Sequence, residues 1–301
     1  MVERVVIFGG TGFLGKRLIK NLKDDYRIVV ASRNPDTIRK DTDVDYTAFN
    51  YNIESFKNII DGSNIVVNFS GASIAGQRWN KKYKKIMYDS RIETTRMISD
   101  AISLCPEKPH TLVSTSATGI YGSRDNETLT ELSPLGNDYL ANMCIDWEKS
   151  ALKADKDNVR TVCIRVGVVL DKMEGGFTRM IQPFKYFVGG RLGNGNQFLP
   201  WIHVDDIIKI YEEAIKNTEI SGIINGTAPQ PVTNIEFSSV VAKALKRPNL
   251  LVVPVFMLKI IVGEFAEFLI GSQRAVPQKL LSNGFNFKYA DIQSAIDNLI
   301  E

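Results

Sequence analysis

Cysteine is scarce in this 301-residue chain. Cys105, Cys144 and Cys163 form an odd, widely spaced set with no CxxC pair, so neither a disulfide framework nor a zinc site is indicated, and reduced thiols in the cytoplasm are expected. An excess of charge of one sign is also lacking: the formal net charge is +3, too small to mark a nucleic-acid binder by itself. Long uninterrupted apolar runs are missing as well. The most apolar stretch, "LLVVPVFMLKIIVGEFAEFLI", is broken by Pro254, Lys259, Glu264 and Glu267, which makes a membrane span costly and an amphipathic helix over a pocket or partner the better expectation. The first residues run into an apolar strand pattern without the marks of a secretory signal, so no export is expected. No repeat of fixed period and no low-complexity linker is visible.

What is present is a large core and a glycine motif. At 44% apolar content the chain is expected to be soluble and globular, in one or two closely associated domains. "GGTGFLG" follows the apolar run Val5, Val6, Ile7, Phe8 and precedes Phe13, Leu14, Leu18, Ile19 and Leu22 at helical spacing. Strand, glycine turn and helix thus arrive in the order of a nucleotide-phosphate site at a helix N-terminus, where free N–H groups and the dipole favour anions. The candidate cradle is Gly9, Thr11, Gly12, Phe13, Leu14 and Gly15; the alternative is an ordinary glycine-rich turn.

Apolar runs at 27–32, 64–71, 111–117 and 159–170 alternate with helical patterns, which predicts an α/β fold: a doubly wound, Rossmann-like parallel sheet. Residues 1–171 are expected to form the nucleotide-binding domain, with segments near 200–230 returning to it. Residues 172–301 are expected to form a smaller, substrate-side α/β subdomain. "TNIEF" is a capping box in which Thr233 and Glu236 start a helix near Asn234, after a strand in "GIINGTAPQPV". In "RWNKKYKKIMYDSR" the lysines flank an apolar stripe of Trp79, Tyr83 and Met87, which reads as a solvated helix face.

The second apolar run ends in Ser32, Arg33 and Asn34, and the nearest acid, Asp36, comes only after Pro35. A carboxylate at the strand tip suits a ribose hydroxyl; Arg33, with Ser32, suits a ribose 2′-phosphate. NADP(H) is therefore expected over NAD.

Together, "GGTGFLG", "NFSGAS", "STSATGIYG" and "PWIHVDDI" resemble the extended short-chain dehydrogenase/reductase superfamily. "NFSGASIAGQRW", "DSRIETTR", "GNDYLANMCIDWE", "RVGVVL", "LGNGNQFLPWIHVDD" and "GSQRAVPQKLLSNGFNF" are similar to its atypical epimerase-family branch, labelled cell-division-inhibitor-like, across nearly the whole chain. The resemblance implies that Ser70, Gly71 and Ala72 line the adenine-ribose and phosphate region. It also implies that Arg165, Gly167 and Val168 lie beside the nicotinamide, and that Ser116, or Thr118 in its place, serves the reacting centre. His203 in "WIHVDD" is expected to be structural, with an acid–base role as the alternative. Relatives often pair through helices flanking the sheet, so a homodimer is a candidate assembly. No metal, nucleic-acid or membrane partner is expected.

The superfamily's Tyr-x-x-x-Lys appears here as "YLANM", with Tyr139 in place and Met143 in the lysine slot. Without a nearby cation only about a thousandth of a free tyrosine is phenolate at pH 7. Neutral Tyr139 suits proton donation in carbonyl or alkene reduction better than alcohol oxidation. Three readings follow: an NADP(H)-dependent oxidoreductase or epimerase on an unidentified small carbonyl or sugar-like substrate, a catalytically weak NADP(H) sensor, or, resting on the lysine run alone, an RNA- or DNA-associated relative. Gln77, Arg78, Trp79, Phe198, Trp201 and Gln273 are the expected pocket residues.

Overall fold

The computed structural model describes residues 2–35 and 41–300. In β1 (Arg4–Phe8) the side chains of Val5 to Phe8 are fully buried, as a strand covered on both faces requires. The period then changes, and α1 (Phe13–Leu22) buries Gly15, Leu18, Ile19 and Leu22. The alternation continues through β2 (Arg27–Ser32), β3 (Asp45–Ala48), α2 (Ile53–Ile60), β4 (Ile65–Asn68), α3 (Lys81–Leu104) and β5 (Thr111–Ala117). After β6 (Thr128–Leu129) and α4 (Tyr139–Ala151) come β7 (Arg160–Val166) and β8 (Val168–Leu170). The remaining chain folds as α5 (Gly176–Lys185), β9 (Gly190–Leu192), β10 (Phe198–Leu199), β11 (Trp201–His203), α6 (Val204–Lys216) and β12 (Gly222–Gly226). It ends with β13 (Val232–Thr233), α7 (Asn234–Leu245), β14 (Leu251–Val253), α8 (Val255–Val262), α9 (Phe265–Ile270), β15 (Arg274–Ala275), α10 (Gln278–Ser282) and α11 (Ile292–Ile300).

Seven strands form one parallel sheet in the order β12-β7-β5-β4-β1-β2-β3. One face packs Val5, Ile7 and Val113 against α1 and α6; the other packs Val6, Phe8 and Leu112 against α2 and α3. This is the doubly wound, Rossmann-like architecture that the alternation predicts. From β1 the chain builds outward to β2 and β3, then crosses back to β4, so the crevice at the carboxyl ends of β1 and β4 is the switch point where such folds hold ligands. β3 has no counterpart among the expected strands. It is a four-residue edge strand with half-buried or exposed positions, and so lacks the apolar run that reveals a central strand.

The single apolar run at 159–170 divides at Gly167. β7 stays in the main sheet, whereas β8 pairs with β11. A Cβ on Gly167 would stand 2.2 Å from the Pro200 carbonyl oxygen, so the missing side chain is what lets the two segments meet. α6 and β12 return to the main sheet through Ile207, Tyr211 and the β12–β7 ladder. Phe177, Trp201, Phe237, Val241 and Ile296 form a separate core beneath the later elements. The capping box is present, with Thr233 Oγ1 accepting from Glu236 N and α7 starting at Asn234.

The apolar stretch beginning at Leu250 departs from the expected amphipathic helix. It forms β14 and two short helices interrupted at Gly263, whose φ is +66°. α8 buries Leu258 and exposes Phe256, Ile260 and Ile261. No helix among the described residues is long and apolar enough to cross a membrane.

Candidate functional site

Gly9, Gly12 and Gly15 of the opening motif are each needed for a different reason. Gly9 has φ +75°, and a Cβ there would lie 2.8 Å from the Phe69 carbonyl carbon. A Cβ on Gly15 would meet the Gly10 Cα at 2.6 Å, so this glycine lets α1 sit against the turn. Gly12 differs: its only neighbour within 4 Å of a Cβ is the Gly9 oxygen at 3.2 Å. Its empty side faces open space. Gly12 is also the N-cap of α1, where no side chain caps the helix and no acid stands in the first turn. The N–H groups of Phe13, Leu14 and Gly15 therefore lack intrahelical partners, and the geometry fits a pyrophosphate. Phe13 packs against Gly175, and Arg17 pairs with Asp171 at 2.5 Å, which sets the 171–175 turn beside this helix end.

On the β2 side, Ser32 is half-buried and Arg33 is exposed, with no ion pair to Arg33 among the described residues. Asp36 lies outside the described residues. On the β4 side, Asn68 is buried; it donates to Thr95 Oγ1 at 2.8 Å and accepts from Ser70 N at 3.0 Å. Ala72 N donates to Ser90 Oγ at 2.9 Å. These bonds pin the Ser70, Gly71, Ala72 segment to α3. Gly71 is exposed, and a Cβ on it would approach Arg91 Cζ at 3.1 Å.

Arg91 is a residue that sequence reasoning missed. It is only 8% exposed, donates through Nη1 to the Met87 carbonyl at 3.0 Å, and places its guanidinium 5.1 Å from the Trp147 ring centre. No carboxylate pairs with it among the described residues, and burial lowers its pKa from the usual arginine value. The available signal was its position: Tyr83, Met87, Arg91, Thr95 and Ile98 recur on the buried face of α3, so an arginine interrupts an otherwise apolar or small-polar stripe.

At the end of β5, Ser116 Oγ donates to Glu148 Oε1 at 2.7 Å. Arg165 grips the same carboxylate through Nε at 2.8 Å and Nη2 at 2.9 Å. Its Nη1 donates to Tyr121 Oη at 2.9 Å, and Tyr121 lies 2.7 Å from Asn225 Oδ1, to which it donates. Ser116, Glu148, Arg165, Tyr121 and Asn225 are all buried. The Arg165 side chain is held in the interior by this bidentate carboxylate pair. Gly167 is likewise a packing glycine against Pro200, and Val168 pairs with Trp201 in the β8–β11 ladder. Thr118, in the 3₁₀ turn after β5, has no side-chain hydrogen bond among the described residues. Of the two candidate hydroxyls, both buried, it is the one without a side-chain hydrogen bond among the described residues.

Tyr139 begins α4, and its Oη donates to the Lys84 carbonyl at 2.8 Å. Lys84 Nζ lies 4.8 Å from its ring centre. Burial raises its pKa, against a lowering by Arg91. Ser116 and Tyr139 therefore share no hydrogen bond. Met143 is buried with Tyr83, Met87 and Trp147, a surrounding that suits a thioether and not an ammonium.

His203 is structural, as expected. It is the N-cap of α6, with Nδ1 accepting from Asp205 N at 3.1 Å and Nε2 lying 3.2 Å from Asn298 Oδ1. Trp201 is not a pocket residue: it is fully buried, and its Nε1 donates to the Gln230 carbonyl at 2.9 Å. Gln273 is buried as well, while Phe198 is half-buried beneath Arg274. Arg78 and Trp79, by contrast, line an open groove of about 380 Å³ with Lys259, Gly263, Glu264 and Glu267.

With this geometry in place, comparison with known proteins gives concordant matches. The model of the NAD dependent epimerase/dehydratase family matches residues 5–225, and that of a domain of unknown function, DUF1731, matches residues 253–299. The chain is 40% identical to the epimerase family protein SDR39U1 homolog, chloroplastic, of Arabidopsis thaliana, over 99% of this chain and 86% of that protein. It is 37% identical to the epimerase family protein YfhF of Bacillus subtilis, over 98% of this chain and 97% of that one. A crystal structure of human epimerase family protein SDR39U1 (isoform2) with NADPH is similar at a TM-score of 0.89 and 28% identity, covering 99% of each chain.

Proposed function

Because the chain belongs to the NAD dependent epimerase/dehydratase family, we propose that it binds NADP(H) at the β1–β4 crevice and acts as an oxidoreductase or epimerase on a small carbonyl or sugar-like substrate. The observation that carries this reading is the uncapped N-terminus of α1, with Gly12 open to the crevice. Similarity to the human protein crystallised with NADPH supports it, as does an exposed Arg33 with no carboxylate partner among the described residues at the end of β2.

When bound, the cofactor supplies or accepts a hydride at its nicotinamide. The chain's own residues do the rest. First-turn N–H groups of α1 hold the pyrophosphate, and Ser32 with Arg33 holds the 2′-phosphate. Asn68, Thr95 and Ser90 fix the Ser70–Ala72 backbone along the ligand's path. The Thr118 hydroxyl, without a side-chain hydrogen bond among the described residues, donates a hydrogen bond to the substrate oxygen. Tyr139 transfers a proton only after its hydroxyl leaves the Lys84 carbonyl, and that requirement slows turnover.

A second reading has its own support. The engaged Tyr139 hydroxyl and the buried Met143 favour a catalytically weak NADP(H)-binding sensor. Titration with NADPH and NADH followed by a broad carbonyl screen separates the two. NADPH consumption with any compound establishes the enzyme; tight NADPH binding with no consumption across the panel establishes the sensor. Failure to bind either nucleotide refutes both.

A further inference from the structure

A helix that is apolar all round belongs in an interior. α8 carries a single charge, Lys259, yet buries only Leu258; Phe256, Ile260 and Ile261 are 65%, 67% and 65% exposed. β14 leads into this helix with Leu251 and Val252 exposed, and Leu250 before it is 86% exposed. β14 pairs in parallel with β9, and the Arg247 guanidinium lies 4.3 Å from the Phe187 ring centre. Tyr186, Phe187 and Val188, all exposed, therefore adjoin the same face. A contiguous apolar surface of this kind marks an interaction site.

The backbone of β14 narrows what can cover this face. Among the described residues β14 pairs with β9 alone, and its other edge carries no hydrogen bond. Val253 O accepts from Gly193 N at 2.9 Å, on the β9 side. Successive strand residues turn their backbone groups to opposite sides, so the N–H and C=O of Val252 point to the free edge. Hydrocarbon would leave both unsatisfied, which disfavours a bilayer core; another polypeptide strand satisfies them. Charge narrows the choice again. Residues 185–198 and 237–261 hold Lys185, Arg191, Lys243, Lys246, Arg247 and Lys259 but no aspartate or glutamate. Lys259 approaches Glu267 at 3.9 Å, and the other five have no ion pair among the described residues. A second copy of the chain, meeting this face with its own, would set cation against cation. We propose that β14 and α8 bind an extended, acidic segment of another protein by strand addition. Val252 makes the main-chain bonds, α8 and Leu251 take apolar side chains at alternate positions, and the surrounding cations take the carboxylates.

The probe is a fluorescein-labelled, end-capped peptide alternating glutamate and valine, titrated with the full chain and read by fluorescence anisotropy. It should bind, and added salt should weaken it. Val252→Pro removes the outward donor and leaves the β9 side of the strand alone, a substitution that an edge strand tolerates. It should weaken the peptide by about 5- to 10-fold. The same peptide N-methylated throughout keeps its carboxylates and should lose at least as much against the unaltered chain, which keeps the test decisive if Val252→Pro melts without cooperativity. Lys185→Glu with Lys246→Glu should cost about tenfold at low salt and much less at high salt. Full affinity for the N-methylated peptide, or equal affinity for a lysine–valine peptide, would overturn the proposal, as would a wild-type chain that leaves the acidic peptide unbound at millimolar concentration. Capture by phosphatidylglycerol vesicles without peptide binding would overturn it in favour of a lipid surface. A concentration-dependent dimer that Ile260→Ser dissolves, again without peptide binding, would overturn it in favour of a second copy.

Discussion

Alanine at Gly12 and alanine at Gly15 add the same methyl group three residues apart, and the structure gives them opposite consequences. At Gly12, φ is −82° and ψ is −179°, a conformation any residue adopts. The new Cβ meets only the Gly9 oxygen at 3.2 Å, so the fold should lose less than about 1 kcal/mol, mostly from a poorer N-cap residue. The methyl does, however, occupy the approach to the α1 N-terminus. Losing one or two charge-assisted contacts there costs about 2–4 kcal/mol, or roughly 30- to 1000-fold in NADPH affinity. At Gly15 the Cβ would stand 2.6–2.8 Å from Gly10 Cα, Gly9 O and Gly10 C. All three are backbone atoms that cannot rotate away, so overpacking should cost about 2–3 kcal/mol of stability. Thermal melts with and without NADPH, paired with calorimetric titration, read both effects. In the wild type, NADPH at 100 times its Kd should add about 2.7 kcal/mol; Gly12→Ala should melt like the free wild type and gain little. Normal NADPH affinity in Gly12→Ala would remove the phosphate from this helix end, and a wild-type melt for Gly15→Ala would refute the packing argument.

Arg33→Asp should replace attraction by repulsion at the 2′-phosphate and shift the NADPH-to-NADH affinity ratio by about 2–4 kcal/mol; an unchanged ratio in calorimetry would take Arg33 out of the site. Glu148→Gln leaves the Arg165 side chain, only 4% exposed, without its carboxylate and should cost about 3–5 kcal/mol in urea unfolding. Adding Arg165→Met should recover much of that loss, and a single-variant cost below about 1 kcal/mol would refute a structural role for the pair. Burial, opposed by Asp205 and Asp206, pushes His203 below its ordinary 6.5. The folded state thus binds fewer protons than the unfolded one, and the contribution present above about pH 6.5 is lost as pH falls below it. His203→Asn, which keeps an N-cap acceptor, should flatten that acid slope in melts between about pH 7.5 and 5; an unaltered slope assigns it to other groups.

The parts of the fold that were legible in the sequence are those where one local pattern settles the outcome. β1, β2, β4, β5 and the turn between β1 and α1 announce themselves through apolar runs and glycine spacing, because a strand buried on both faces admits little else. β3 was invisible because an edge strand needs no apolar run. The division of residues 159–170 was invisible because Gly167 is forced by Pro200, a residue 33 positions later. Site residues divide along the same line. The phosphate cradle is local, so it was readable. The fate of Ser116 and Arg165 depends on Glu148 approaching from another element, and Arg91 acquires meaning only when Gly71 and Trp147 close around it.

α4 meets two buried arginines, Arg91 and Arg165, through adjacent residues. Glu148 meets Arg165 with a bidentate carboxylate, which completes a closed network with Ser116, Tyr121 and Asn225. Trp147 meets Arg91 with a ring face, which tolerates a cation without neutralising it. The first arrangement satisfies its charges and hydrogen bonds internally; the second leaves the guanidinium without a carboxylate among the described residues. The first residue of the same helix, Tyr139, is tied to the Lys84 carbonyl, and one turn later Met143 closes an apolar cluster. The polar work of α4 is therefore done at its Trp147–Glu148 turn, which anchors the end of β5 through Ser116 and holds Arg91 against the indole ring.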